Sequence, residues 1–361
     1  MSQLFSEATI GSIKLQNHLV MAPMTRNRAI GNVPNQLMAE YYAQRASAGL
    51  IISEGTSPSP NGLGYPRIPG IFSREQIDGW KLVTDAVHAK GARIFIQFMH
   101  CGRIGHPLNL PAGARLLAPS AVAAAGDIYT DAGGMKQFVT PQEMTAGDIK
   151  TTIEEFAQAA TNAIEAGFDG VELHGANGYL LEQFIRSNSN QRIDHYGGAI
   201  QNRSCFVLEV VEAAIKAIGA GKVGIRLSPY GIFNDMPLYP DMEADYTYLV
   251  KQLNVLGLLY IHLVDHSSMG SPQVPESMKA TFRKEFKGAL ILSGGYNAEH
   301  AESDLVAGKA DLIAVGRAFL ANPDLVYRWK SGAALNEPDM NTFYIPGPKG
   351  YTDYPSCDLT L

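Results

Sequence analysis

One pattern recurs along the chain: a stretch of helical period ends at a glycine, and a short, continuous apolar run follows. ASAG precedes LIIS at 46–53, HAKG precedes ARIFIQF at 88–98, and IEAG precedes FDGVEL at 164–173. GAGK precedes VGIRLS at 219–228, NVLG precedes LLYIHLV at 254–264, and VAGKAD precedes LIAVG at 306–316. Two further apolar runs, HLVMAP at 18–23 and GALILSGG at 288–295, lack that prelude. The glycines fit the left-handed position just past a helix C-terminus. The apolar runs do not alternate with polar residues, so they predict strands buried on both faces, as in a parallel sheet covered by helices.

The helical stretches agree with this. Ser73 and Gln76 have the spacing of a capping box, and Ile77, Trp80, Val83 and Val87 then share one face. From Thr145, the positions Ile149, Ile153, Phe156, Ala160 and Ile164 keep helical spacing again. Eight strands and about eight helices alternate, which predicts an α/β chain closed into an eight-stranded parallel (β/α)8 TIM barrel. Such a barrel needs roughly 250 residues, with insertions raising that. The excess falls at 100–145, an excursion after the third strand, and in a tail over 331–361. A doubly wound open sheet is the rival. It would carry GxGxxG after its first strand, where this chain has APMTRNRA.

Composition narrows the function classes. The chain has 361 residues, 46% of them hydrophobic, and no linker rich in Pro, Gly or Ser, so 1–361 is expected to form a single domain. A net charge of −6 leaves no basic stripe for nucleic acid. No apolar run approaches the roughly 20 residues of a membrane span, and MSQLFSEATIGS does not read as a signal peptide. Cys101, Cys205 and Cys357 are odd in number and widely spaced, so neither a disulfide framework nor a metal cluster is expected. A cytoplasmic protein, monomer or homodimer, follows as the expectation.

In an eight-stranded barrel the chemistry sits on the loops after the strands. Those positions hold Pro23, Met24 and Thr25, then Glu54 and Gly55, then Gln97 and His100, then His174, Asn177 and Tyr179. Arg226 ends the fifth strand, Gly294 and Gly295 follow the seventh, and Gly316 and Arg317 follow the eighth. Loops after strands seven and eight are the usual phosphate site of this fold, and free backbone N–H groups with a guanidinium suit a dianion. The plainer reading of SGGYN is a strand-to-helix turn. His174 also reads as a structural hydrogen-bonder, Asn177-Gly178 as turn chemistry, Tyr179 as a core tyrosine, and Arg226 as a buried partner of Glu172. His262 and His266 are spaced i, i+4, but they straddle a strand end rather than a helix, so no metal site is expected.

Taken in order, NHLVMAPMTRNRA, YYAQRASAGLIISEGT, HGANGYLLEQFI with SNSNQRIDHYGG, VGIRLSP, VGRAFLANPDL and KGYTDYP make the chain resemble the old yellow enzyme family of FMN-dependent ene-reductases. The resemblance implies FMN across the barrel mouth, with NADPH or NADH as reductant and activated alkenes (enones, enals, nitroalkenes, maleimides) as substrates. It implies Thr25 and Gln97 against the polar edge of the ring, backbone at Pro23, Met24 and Gly55 near it, and Arg226 beside the pyrimidine. It implies Gly294, Gly295, Gly316 and Arg317 around the phosphate. His174 and Asn177 match the pair that binds the substrate oxygen, acting as an oxyanion hole, and Tyr179 matches the proton donor. Tyr65, His100 and Tyr351 are expected near the substrate, with Tyr351 as a cap from the tail. One departure is Met99, where the family often has tryptophan, which leaves substrate scope open. His18 replaces a common arginine at the start of the first strand, away from the mouth. An FMN barrel working mainly on quinones, nitro compounds or nitrate esters is the alternative.

Overall fold

The computed structural model describes residues 2–357, so the last four positions of the expected tail lie outside the described residues. Eight strands close into a barrel: β1 (Leu19–Met21), β2 (Leu50–Thr56), β3 (Arg93–Phe98), β4 (Gly170–Gly175), β5 (Val223–Leu227), β6 (Tyr260–Val264), β7 (Ala289–Ser293) and β8 (Leu312–Val315). Every neighbouring pair is parallel, and β8 pairs with β1 to complete the ring. These are the eight runs expected from the sequence, in the same order, and the (β/α)8 barrel stands over the open sheet.

Both faces of the strands are covered, which is why the runs do not alternate. The inner layer holds Val20, Leu50, Ile52, Phe95, Tyr260, Ile291 and Leu312. A hairpin of Ala8–Ile10 and Ile13–Leu15 adds Ile10 and Leu15 to that layer and plugs the N-terminal end of the barrel. The outer layer meets the helices α1 (Gln36–Gln44), α2 (Arg74–His88) and α3 (Ala146–Glu165), followed after β4 by α4 (Leu180–Ile185) and later helices. Both expected N-termini are realised: Ser73 and Gln76, and Thr145 and Asp148, form reciprocal caps. Trp80 is fully buried, and its indole N–H donates to the Gly70 carbonyl at 3.1 Å.

Most of the helix-ending glycines are left-handed, with φ of 81° at Gly91, 91° at Gly167, 70° at Gly257 and 69° at Gly308. Gly49 differs. Its φ is ordinary, but a Cβ there would lie 2.0 Å from the Asn17 carbonyl oxygen, so close approach rather than conformation demands glycine.

Two features shape the mouth. The excursion at 100–145 folds a hairpin, Asp127–Thr130 against Gly134–Gln137, over the C-terminal end of the barrel. After β8, the segment 339–351 runs back against the loop that follows β1 and is gripped by buried arginines. Arg26 donates to the carbonyls of Phe343 (3.1 Å) and Gly350 (2.7 Å). Arg28 donates to those of Phe343 (2.6 Å), Thr342 (2.9 Å), Gly347 (3.2 Å) and Lys349 (3.0 Å). Arg45 reaches the Tyr351 carbonyl at 3.2 Å.

Candidate active site

A cavity of about 1370 Å³ occupies the C-terminal mouth of the barrel. Single small-molecule ligands usually take roughly 300–1,000 Å³, so there is room here for two. Its walls hold Pro23, Met24, Thr25, Gln97, Met99, His174, Asn177, Tyr179, Arg226, Gly294, Gly295, Gly316 and Arg317. Tyr65 joins them from the loop after β2.

Strand register explains the inner wall. His174 on β4, Arg226 on β5 and His262 on β6 are neighbours in register. One layer down, Glu172 sits beside Gln97. Side chains two apart on a strand share a face, so both layers point into the barrel. A chain of polar contacts links the two layers. Gln97 Nε2 donates to Glu172 Oε1 at 2.8 Å, Glu172 Oε2 meets His262 Nδ1 at 2.9 Å, and His262 Nε2 meets Ser293 Oγ at 3.1 Å.

Those contacts occupy Glu172, and among the described residues no hydrogen bond or ion pair joins it to Arg226, so the plainer reading of Arg226 as its bonded partner does not hold. Arg226 is buried, its Nε has no partner, and burial pulls its pKa down, with the nearby Glu172 charge partly opposing. A buried, unpaired cation at a cavity wall favours an anion there. His174 is buried too, and its Nδ1 is unpartnered. Burial and the Arg226 charge push its pKa well down, so the imidazole is neutral and offers one N–H.

The turn after β4 is held from several sides. Asn177 is left-handed at φ 59°, a conformation asparagine tolerates better than most residues. Its N–H donates to Ser228 Oγ at 2.9 Å, and its carbonyl accepts from Asn234 Nδ2 at 2.8 Å. Gly178 has φ 76°, and a Cβ there would lie 2.7 Å from Asn234 Cβ. The Gly178 N–H donates to Glu182 Oε2 at 2.7 Å, and Glu182 forms a fully buried ion pair with Arg186 at 2.9 Å. Tyr179 stands at the N-cap of α4 without capping it, which leaves its hydroxyl to meet the Tyr65 hydroxyl at 3.3 Å. Its ring lies 4.9 Å from that of His174. Burial pushes the Tyr179 phenol well above its ordinary pKa, with Tyr65 and Cys101 adding to it.

At the opposite end, Gly294 and Gly295 have φ of 150° and 68°. A Cβ on Gly294 would lie 2.6 Å from the Asp265 carbonyl, so the cradle admits only glycine there. Arg317 is exposed beside it, with Nη2 3.5 Å from Ser268 Oγ. An orphaned cation, the polar side chains of Thr25 and Gln97, and a glycine cradle together fit FMN.

Three expected residues do not line the cavity. Gly55 lies under Met99, and a Cβ there would meet Met99 Sδ at 2.6 Å. A bulge in β2 between Ile52 and Gly55 turns this stretch. His100 points away, because the extended chain alternates and Gln97 and Met99 take the inner side. It is buried with Nε2 unpartnered. Tyr351 is fully buried and stacks on Tyr41 at 3.9 Å, drawn into the arginine clamp behind β1. The tail residues that reach the cavity are Met340, Asn341 and Phe343–Pro346.

The cavity also holds residues that the strand-end rule does not reach: Phe233, Asn234, His266, Ser268, Met269 and the hairpin positions Ile128 and Tyr129. The hairpin left a sequence signal in the turn residues DAGG at 131–134, and His266 stood out only for its i, i+4 spacing from His262. His266 Nε2 lies 2.7 Å from Asn177 Oδ1.

Comparison with known proteins extends this picture. Residues 3–336 match the NADH:flavin oxidoreductase / NADH oxidase family. The chain is 44% identical to 12-oxophytodienoate reductase 1 of Oryza sativa subsp. japonica over 358 residues, 98% of this chain and 92% of that protein. It is 41% identical to 12-oxophytodienoate reductase 7 of the same plant over 375 residues, 98% of this chain and 94% of that protein. Among solved structures, morphinone reductase superposes with a TM-score of 0.95 at 44% identity, covering 99% of this chain and 97% of that one. Morphinone reductase in complex with tetrahydroNAD superposes with a TM-score of 0.94 at 44% identity, covering 99% of each chain.

Proposed function

The chain belongs to the NADH:flavin oxidoreductase / NADH oxidase family, the old yellow enzymes, and is an FMN-dependent, nicotinamide-driven ene-reductase; we propose that His174, Asn177 and Tyr179 carry its chemistry on small activated alkenes. One observation supports this most. Two side chains able to donate to a single oxygen, His174 and Asn177, share a wall with a phenol whose only hydrogen-bonded neighbour among the described residues is another phenol. FMN, once bound and reduced by NADPH or NADH, would supply the hydride that the β-carbon of the alkene accepts. Thr25, Gln97, Arg226, Gly294, Gly295, Gly316 and Arg317 would hold it, with backbone at Pro23 and Met24.

The roles follow from the protonation states. A neutral imidazole N–H and an amide N–H bind the carbonyl or nitro oxygen and stabilise the negative charge that develops there. A full positive charge on His174 would be disfavoured by burial and by Arg226. Tyr179 holds its proton across the physiological range and delivers it to the α-carbon. A phenol is a fitting acid for a carbanion more basic than itself. Tyr65, hydrogen-bonded to it, links that proton to the loop after β2. Met99 and the tail residues Phe343 to Ile345 shape the space left for the alkene.

The relatives carry names of reductases of 12-oxophytodienoate and morphinone; this chain's range is expected to include cyclic enones. A cytoplasmic setting suits its cysteines, unpaired among the described residues. The test is an anaerobic two-step titration. NADPH should bleach the yellow band of the purified protein, and 2-cyclohexenone should restore it. Bleaching without recovery would remove enone chemistry and point to quinone or nitro acceptors.

A further inference from the structure

We propose that His266 is a positioning residue for Asn177, holding its amide so that Nδ2 faces the reacting oxygen; this rests on the reading of Asn177 as a substrate-binding donor. The backbone of Asn177 is already fixed by Ser228 and Asn234. What remains free is the amide torsion, a broad, two-fold one that lets oxygen and nitrogen exchange places. If Oδ1 faced a substrate carbonyl, two acceptors would oppose each other and the oxyanion hole would lose one donor.

In the structure His266 meets the oxygen end of that amide. Its Nε2 lies 2.7 Å from Asn177 Oδ1, while Asn177 Nδ2 makes no hydrogen bond among the described residues and Asn177 lines the cavity. An amide oxygen only accepts, so Nε2 carries the proton. The ring is neutral, with its pKa pushed down to about 4 by burial and by the Arg226 charge. The loop that carries it is anchored. The Asp265 N–H donates to the Ser293 carbonyl at 2.8 Å, and the Asp265 carboxylate accepts from the N–H groups of Ser267 at 2.9 Å and Val274 at 3.2 Å. The contact joins two anchored loops, after β4 and after β6; with the proton on Nε2 it holds the amide with its oxygen toward His266. Among the described residues no group of three or more His, Cys, Asp or Glu side chains is placed to hold a metal ion.

The test is a double-mutant cycle in the FMN-loaded protein, with His266→Leu, Asn177→Ala and the pair. Two quantities are read: the dissociation constant for a non-reducible oxygen ligand, 4-hydroxybenzaldehyde, from the flavin absorbance, and kcat/KM for 2-cyclohexenone. One oriented hydrogen bond predicts a loss of roughly three- to tenfold for His266→Leu in both. The same substitution should have no further effect in the Asn177→Ala background. His266→Gln, which places an amide N–H near the same point, should restore most of the loss. A purely structural role would give equal losses in both backgrounds and no rescue by glutamine, which overturns the proposal. If Asn177→Ala itself leaves both quantities unchanged, the reading of Asn177 as a donor fails instead.

Discussion

Replacing Arg226 with methionine tests whether the cavity is built around an anion. The side chain is buried, its Nε has no partner, and the carboxylate nearest to it in the barrel is bonded to Gln97 and His262. In the cofactor-free protein a buried, unsatisfied donor costs roughly 1–3 kcal/mol. Methionine of similar length removes that cost, so the cofactor-free variant should melt at least as high as the cofactor-free parent. With FMN the sign reverses. A hydrogen bond to a charged group is worth roughly 1.5–3 kcal/mol, so FMN affinity should fall about 10- to 150-fold. The cation favours the reduced flavin most. For a two-electron couple about 30 mV corresponds to ~1.4 kcal/mol, so the potential should drop by roughly 30–60 mV. Differential scanning calorimetry of the stripped protein, fluorescence titration with FMN and dye-equilibration redox titration read the three effects. Opposite signs for stability and affinity are the signature. A variant that melts several degrees lower without cofactor, or that keeps its potential, would refute the reasoning.

Further outcomes follow from other parts of the site. Tyr179→Phe should slow alkene-driven reoxidation by roughly 10²- to 10⁴-fold while leaving bleaching by NADPH within a few-fold, measured by stopped flow in separate half-reactions. Because the Tyr179 pKa lies well above its ordinary value, turnover should show no alkaline loss from this group up to pH 10. Gly55→Ala places a Cβ 2.6 Å from Met99 Sδ and pushes that flexible side chain into the cavity; KM for bulky enones should rise while that for 2-cyclohexenone changes little. Acid should destabilise the fold early: burial holds His100 near pKa 3, and burial with the Arg226 charge holds His266 near 4, against about 6.5 unfolded. The unfolded chain then binds more protons below pH 6.5, so stability falls with pH by roughly one to two kcal/mol per unit for each histidine. Glu54, raised to about 7 by burial, opposes one of them between about 4.5 and 7. His174 and His262, also lowered by burial, act in the same direction; His100→Gln should therefore lessen the loss of stability between pH 6.5 and 4.5 by about 1.4 kcal/mol per unit, and an unchanged slope would refute this accounting.

The barrel was readable because its signals are local and periodic. Continuous apolar runs, the capping box at Ser73 and the helical spacing from Thr145 survive intact into the structure. The strand-end rule also located Gln97, His174, Asn177, Tyr179, Arg226 and the glycine pairs, since strand direction alone decides where they open. Residues delivered by aperiodic loops left no such trace. His266 read as a weak metal candidate, yet it bonds to Asn177, 89 positions earlier. Tyr351 was expected at the cavity on the resemblance alone. Its place was decided by stacking on Tyr41 and by three arginines, a tertiary contact that no local pattern records. His100 shows the limit of counting along an extended chain: one residue beyond Met99 is the wrong side.

The arginine clamp on segment 339–351 has a consequence for how this scaffold can change. Arg26, Arg28 and Arg45 grip carbonyl oxygens, which every amino acid supplies. The wall over the cavity is thus secured by its main chain, and the side chains of Tyr344 and Ile345 carry none of those bonds. They are interchangeable facing on a fixed frame. The frame is hung from the stretch that also presents Pro23 to Thr25 to the cavity. New selectivity can be written into 344–345 by exchange of side chains alone, with the seat beneath left undisturbed.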